Sequence, residues 1–194
     1  DKMGQLKTVA ATVSDTKATD NYNYADPALK SVYDTTSDKV SATVAPTGDD
    51  LNSDQVTALI NQEATDKAAL NGEERLKAKA ALQTAHDTGL AGKTTDPKYY
   101  NATQTPKANY DKALTDAEST LASENATLAD YQAAKKAIDD AYGKLDGQAT
   151  NKQELQSRVS DADNVRQSDD YKNASDDARK TYEDAIKAGQ DVLN

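Results

Sequence analysis

The chain has 194 residues, of which 36% are apolar, with no Phe, Trp or Cys, one Met, a net charge of -10 and a mean hydropathy of -0.88. The lack of cysteine excludes disulfides, thiol catalysis and Cys-based zinc sites. A pI near 4.6 excludes the clustered basic surface that nucleic acid requires and disfavours docking on anionic lipid, and no run of about 18 apolar residues exists to span a membrane. Apolar mass comes from Ala, Leu, Val, Ile and ten Tyr. Several thin cores are therefore expected instead of one thick one, with Tyr suited to half-buried positions because its tip is polar. The chain opens at Asp1 with no charged-then-apolar leader, which reads as a piece of something longer.

Helical spacing begins at Leu6, Val9, Ala10 and Val13. Next comes a motif of Tyr, two residues, Ala, seven residues, Tyr and an acid: Tyr22, Ala25, Tyr33, Asp34. Asp26 is placed as a helix cap and Pro27 falls in the first turn, where a missing N–H costs little. The helix that follows keeps Tyr33 and Val40 but has Thr36 and Ser37 between them, so its core is expected to lean on Leu29 and Val32. A polar loop over Ala45–Asp50 leads to a helix with Ser53 before Val56, Leu59, Ile60, Ala64 and Leu70. It runs into the stop Leu70-Asn71-Gly72, where glycine is expected to take the left-handed conformation that ends a helix.

The order then repeats. A helix carries Leu76, Ala78, Leu82 and Ala85, and the motif returns as Tyr99, Ala102, Tyr110, Asp111 with Thr103 as cap and Pro106 in the first turn. Tyr110, Ala113, Leu114, Ala117 and Leu121 share a face. Beyond Ala122–Ala126, Thr127 and Asp130 form a variant capping box for a helix through Tyr131, Ala134, Ile138, Ala141, Tyr142 and Leu145, stopped at Leu145-Asp146-Gly147. Leu155, Val159 and Ala162, with Asn151 and Glu154 resembling a capping box, open a third round. Its motif is Tyr171, Ala174, Tyr182, Glu183, capped by Ser175, with Asp176 and Asp177 at the positive end of the dipole. Tyr182, Ala185, Ile186, Gly189 and Leu193 follow.

Motif copies 77 and then 72 residues apart define an internal repeat. The expected division is 1–72, 73–147 and 148–194, the last holding only the first two helices of a repeat. No single helix can bury its stripe alone, so the fold class is all-α, with tandem three-helix up-down-up bundles. An odd number of antiparallel helices puts entry and exit at opposite ends, so bundles are expected to stack end to end into a monomeric rod. Helices of roughly 17 to 20 residues make each bundle about 25 to 30 Å long.

At Tyr99-Tyr100-Asn101-Ala102 through Tyr110-Asp111-Lys112-Ala113-Leu114, and Tyr171-Lys172-Asn173-Ala174 through Tyr182-Glu183-Asp184-Ala185-Ile186, the sequence resembles the FIVAR repeats of giant surface proteins of staphylococci and other Gram-positive bacteria. The stops Ala69-Leu70-Asn71-Gly72 and Leu145-Asp146-Gly147 match the family's inter-repeat signature, and the resemblance covers nearly the whole chain. The first copy departs from it, with Tyr24 in the usual Asn place and a Thr-rich second helix. The resemblance implies an elongated, extracellular, cell-wall-attached protein whose repeats act as a stalk and, in some members, bind fibronectin or other host ligands. It carries over no binding residues.

No residue set supports catalysis, a cofactor or a metal. His86, the only histidine, is read as lying near a helix end before Gly89, where imidazole suits the dipole. The acidic pairs Asp49-Asp50, Asp139-Asp140, Asp169-Asp170 and Asp176-Asp177 lack the alternating acids, central Gly and terminal Glu of an EF-hand and are read as solvated helix starts. Asp161-Ala162-Asp163-Asn164 is similarly short of ligands, and Gly89 and Gly92 lack the spacing of a phosphate cradle. Motif tyrosines are read as packing, while Tyr24 and Tyr100 are the binding candidates. Two functions are carried: a stalk that projects an adhesive region, and an adhesive array whose repeats bind a host matrix protein or glycan multivalently.

Overall fold

The computed structural model describes residues 1–48 and 50–194; Asp49, one member of an acidic pair named above, lies outside the described residues. Among the described residues there are twelve helices and no strand. The chain divides into two compact units, Asp1–Gly147 and Gln148–Asn194.

In the first unit the helices are α1 (Lys2–Lys17), α2 (Asp20–Asn23), α3 (Pro27–Val44), α4 (Ser53–Ala69), α5 (Gly72–Thr95), α6 (Pro97–Tyr100), α7 (Gln104–Ala122) and α8 (Leu128–Gly143). Each of α1, α3 and α4 packs on the other two, and so does each of α5, α7 and α8. These are the two three-helix bundles the spacing predicts. The one-turn helices α2 and α6 are additional: each carries the first motif tyrosine across the corner between the first and second long helices.

The two cores differ in chemistry. Leu82, Tyr110, Leu114, Ala117, Tyr131 and Ile138 form one continuous apolar cluster in the second bundle. In the first, apolar residues separate into Leu6, Val40, Val56 and Leu59, and Tyr22, Ala25, Tyr33 and Leu70. Buried polar groups occupy this bundle too: Ser37 at 0% exposure, Glu63 at 4% and Asp66 at 6%. The Tyr33 hydroxyl donates to Glu63 Oε1 at 3.2 Å and the Thr36 hydroxyl to Asp66 Oδ2 at 2.6 Å. The expectation that Val32 anchors this core is corrected, since Val32 is 50% exposed. Ser37 faces inward instead, because a small hydroxyl bonded to its own helix at the Asp34 carbonyl lets the acids of α4 approach.

Helix ends also depart from their expected chemistry. Only Ser175 of the three motif caps bonds its own helix, at the Ala178 N–H; Asp26 and Thr103 make no such bond. The first α4 cap is Asn52, paired with Gln55 in a capping box, and Ser53 is already helical. Thr127 and Asp130 form the expected box. No glycine has a positive φ, so the left-handed reading of Gly72 and Gly147 is corrected. Close approach explains both: a Cβ at Gly72 would lie 2.3 Å from the Asp20 carbonyl oxygen, and one at Gly147 2.5 Å from that of Pro97. Those contacts seat the first residue of α5 on α2 and the stretch after α8 on α6, with no room for a side chain.

The second unit holds α9 (Gln153–Ser160), α10 (Ala162–Gln167), α11 (Asp169–Lys172) and α12 (Asp176–Leu193). The helix expected through Leu155 and Ala162 is interrupted at Asp161. The Asn151/Glu154 box does not form: Asn151 accepts from the Gln153 N–H alone, and Lys152 stands at the cap position. Helix α12 packs on α9, with Gly189 against Val159 and Leu155.

Candidate functional site

The motif residues converge at one constellation in every repeat. The first tyrosine turns its hydroxyl to the acid that follows the second tyrosine: Tyr22 to Asp34 at 2.7 Å, Tyr99 to Asp111 at 2.8 Å, Tyr171 to Glu183 at 2.6 Å. A base near the end of the preceding helix or helix pair closes the cluster, as Lys17 to Asp34 at 2.8 Å, Lys93 to Asp111 at 2.9 Å and Arg166 to Glu183 at 2.6 Å. The two motif rings lean on each other at 5.7 to 5.9 Å between centroids, at tilted or edge-on angles.

Charge compensation governs these groups. Burial, then the hydrogen-bonded acid, pushes the Tyr22 and Tyr99 phenols up. Hydrogen bonds to Asp34 and Asp111 raise Lys17 and Lys93. Burial works to raise Asp34, but Lys17 and Tyr22 outweigh it and leave the carboxyl below its usual range. Arg166 and then Tyr171 hold Glu183 down at about 2. An acid so occupied, between a protonated base and a neutral phenol, is neither a free general base nor a nucleophile. The sequence shows the tyrosines and the acid; it hides the base, whose only signal is a Lys or Arg 17 or 18 residues before each motif acid.

A second arrangement lies where α4 passes into α5. Asp26 and Asn71 exchange hydrogen bonds, and Asn21 Nδ2 donates to the Leu70 carbonyl at 3.0 Å. Arg75 then reaches across: Nε donates to the Ala126 carbonyl at 2.7 Å, Nη1 to that of Tyr24 at 3.1 Å and Nη2 to that of Glu124 at 3.0 Å. Asp26 Oδ1 accepts from the Leu128 N–H at 2.8 Å. One guanidinium and one carboxylate thereby join the corner of the first bundle to the α7–α8 loop of the second. At the second stop, Thr103 meets Asp146 through N–H and hydroxyl at 2.8 and 2.7 Å. The residues assigned to capping thus serve as latches between helices.

The remaining candidates are dispersed. His86 sits inside α5, which runs on past Gly89 to Thr95, so the helix-end reading is corrected; the residue is 8% exposed, with Nδ1 3.0 Å from Asp87 Oδ1. Asp139 and Asp140 lie toward the C-terminal end of α8, so the helix-start reading is corrected there; they pair with Lys135 and Lys136, Asp176 pairs with Arg179 and Asp163 with Arg166. Asp161 accepts from Asn164. Among the described residues no three His, Cys, Asp or Glu side chains gather as a metal site, and no helix is long and apolar enough to cross a membrane. Tyr24 and Tyr100 are 46% and 44% exposed. They sit one place apart relative to the motif, two residues after Tyr22 and one after Tyr99.

A family model for the FIVAR domain matches residues 2–71, 74–146 and 151–194. The chain belongs to the FIVAR family. The tyrosine, acid and base clusters described above accordingly recur once in each matched FIVAR stretch. Among solved structures, a crystal structure of the 756–1003 domain of EbhA from Staphylococcus aureus is similar over 84% of each chain, with 21% identity and a TM-score of 0.34. No curated protein matches.

Proposed function

We propose that this FIVAR chain is a run of structural stalk repeats, divided at 1–72, 73–147 and 148–194, from a cell-wall-attached surface protein of a Gram-positive bacterium, and that it spaces an adhesive region away from the wall. The observation that carries this reading is where the recurring residues point: the repeated tyrosines, acids and bases are spent on one another inside each repeat. Selection for a shared internal cluster builds a module. It does not build a shared binding face. An odd number of antiparallel helices also delivers the chain to the far end of a bundle, which favours adding modules end to end.

An array that binds a host matrix protein or glycan itself would repeat one exposed aromatic position in every module, since its strength comes from multivalency. Tyr24 and Tyr100 are exposed but out of register, and the third repeat has Lys172 and Asn173 in their places. Small-angle scattering of the intact chain tests the stalk: an elongated profile supports it and a compact one defeats it. Saturable binding of fibronectin that is lost in Tyr24→Ala or Tyr100→Ala would replace the stalk with the adhesive array.

A further inference from the structure

The second repeat contains a cleft of about 540 Å³ that opens beside α5, floored by Ala85, Gly89, Gly92 and Ile138 and walled by Tyr110 and Tyr142. Comparing repeats by their motif bases shows why it exists. Counting back from Lys17, Lys93 and Arg166, Gly89 stands where the first repeat has Val13 and the third Ala162, and Gly92 where they have Thr16 and Val165. Counting back from the stops, Ile138 stands where the first repeat has Glu63. At positions 89 and 92 the second repeat alone has no side chain.

Those same exchanges strip a buried phenol of its partners. In the first repeat the Tyr33 hydroxyl bonds Glu63 at 3.2 Å, with the Thr16 hydroxyl also in hydrogen-bonding reach. Its counterpart Tyr110 is 4% exposed, yet its hydroxyl bonds no described residue: Gly92 and Ile138 have nothing to offer it. The oxygen is not sealed away. It sits over Gly89, where a Cβ would come within 2.6 Å of it, and it faces the cleft. Open to the cleft, the hydroxyl can be served by water or by a ligand that supplies a partner.

The opposite end of the cleft is acidic. Asp96 lines it, accepting from the Tyr142 hydroxyl at 2.8 Å and from the Lys98 N–H at 2.9 Å and forming no ion pair with a described Lys or Arg, whereas Asp139 is paired with Lys135 at 2.7 Å. Burial first, and then the negative fields of neighbours that include Asp96, Asp111 and Asp139, disfavour a further negative charge at Tyr110. The Lys98 ammonium covers one face of the Tyr142 ring at 4.3 Å; the ring of Tyr110, 5.9 Å from that of Tyr142, offers a π face that packs a flat ring. A mostly apolar concavity of this size with a few convergent polar groups is the usual form of a small-molecule site.

We infer that this cleft is a binding site for a small aromatic amine, its ammonium beside Asp96 and Tyr142, its ring over Gly92, and a polar tip on the Tyr110 hydroxyl. The anchoring groups lie on one repeat only, so the site is independent of the stalk reading and its failure would leave that reading untouched.

Titration of the intact chain with tyramine, 4-ethylphenol and 3-(4-hydroxyphenyl)propionate, followed through the Gly89 and Gly92 amides by NMR, tests the assignment. Tyramine is expected to give saturable shifts confined to the second repeat. The neutral phenol should bind about threefold more weakly, as one solvent-exposed charge pair allows, and the anion more weakly still. Gly92→Thr restores the first repeat's residue; a Cβ there meets only Asp96 Cβ at 3.9 Å, so the fold should persist while tyramine binding is lost. Asp96→Asn, which keeps a capping side chain for α6, should bring tyramine down to the level of the neutral phenol. Absence of saturable shifts, equal binding of all three probes, or full binding by Gly92→Thr would each overturn the proposal.

Discussion

Asp26 and Asn71 hold each other by two reciprocal hydrogen bonds, Asp26 N–H to Asn71 Oδ1 and Asn71 Nδ2 to Asp26 Oδ2, both 2.9 Å. The pair fastens the start of the second helix to the end of the third, and Thr103 with Asp146 does the same one repeat later. Asn71→Ala removes both bonds and strands a part-buried N–H. A loss of about 1 to 3 kcal/mol is expected, seen as a lower denaturant midpoint and faster amide exchange at Asp26.

Arg75→Ala should uncouple the two bundles of the first unit more than it unfolds either. Three backbone carbonyls lose a charged donor, and Asp26, 15% exposed at its side chain, loses its nearest cation at 3.5 Å. Hydrogen bonds to charged groups contribute about 1.5 to 3 kcal/mol each, and the three act together. The expected outcome is a single unfolding transition that broadens or splits, with exchange rising at Leu128. An unchanged transition would show that the clamp carries no coupling.

Gly72→Ala and Gly143→Ala should have opposite signs. At Gly72 a Cβ would meet the Asp20 and Asn21 carbonyl oxygens at 2.3 and 2.6 Å, all backbone, so the corner must open and stability falls. At Gly143 a Cβ meets nothing within 4 Å in the last turn of α8, and the better helix former should add about 0.5 to 1 kcal/mol. Thermal melts of the two variants check this.

Two tyrosines at equivalent positions should respond differently to loss of the hydroxyl. Tyr33→Phe leaves Glu63, 4% exposed, without its phenol donor and should destabilise by about 1 to 3 kcal/mol. Tyr110→Phe removes a hydroxyl that bonds no described residue, so its effect should stay near zero. Chemical denaturation of both variants distinguishes them.

Acid should release the third cluster late. Glu183 is held at about 2 in the folded chain by Arg166 and Tyr171, below its ordinary value of 4.5. A depressed folded value means the cluster's contribution is complete above pH 4.5 and is lost as pH falls from there through about 2. A carboxyl carbon titration of Glu183 by NMR should give a midpoint well below 4, and Arg166→Gln should return it toward 4.5.

Helix type and order were legible in the residues because helical spacing is a local signal, readable at Tyr110, Ala113, Leu114 and Ala117 without knowledge of any neighbour. The repeated tyrosines and their following acids were legible for the same reason. Arg75 was not, because its partners Tyr24, Glu124 and Ala126 are about 50 residues away in either direction. Val32 and Ser37 were misassigned because hydrophobicity ranks valine inside and serine outside, whereas Glu63 and Asp66 on α4 made the inner face of α3 polar.

By itself, then, the sequence determined an all-helical FIVAR repeat, its period, and the tyrosine and acid that mark each copy; these follow from periodicities and spacings along one strand of chain. Tertiary structure alone decided what the marked residues do. It turned the capping aspartate into a latch, gave Gly72 a close contact in place of a left-handed turn, and left the Tyr110 hydroxyl facing an open cleft. Each outcome depends on which side chain arrives from another helix, and that is a property of packing which no local pattern carries.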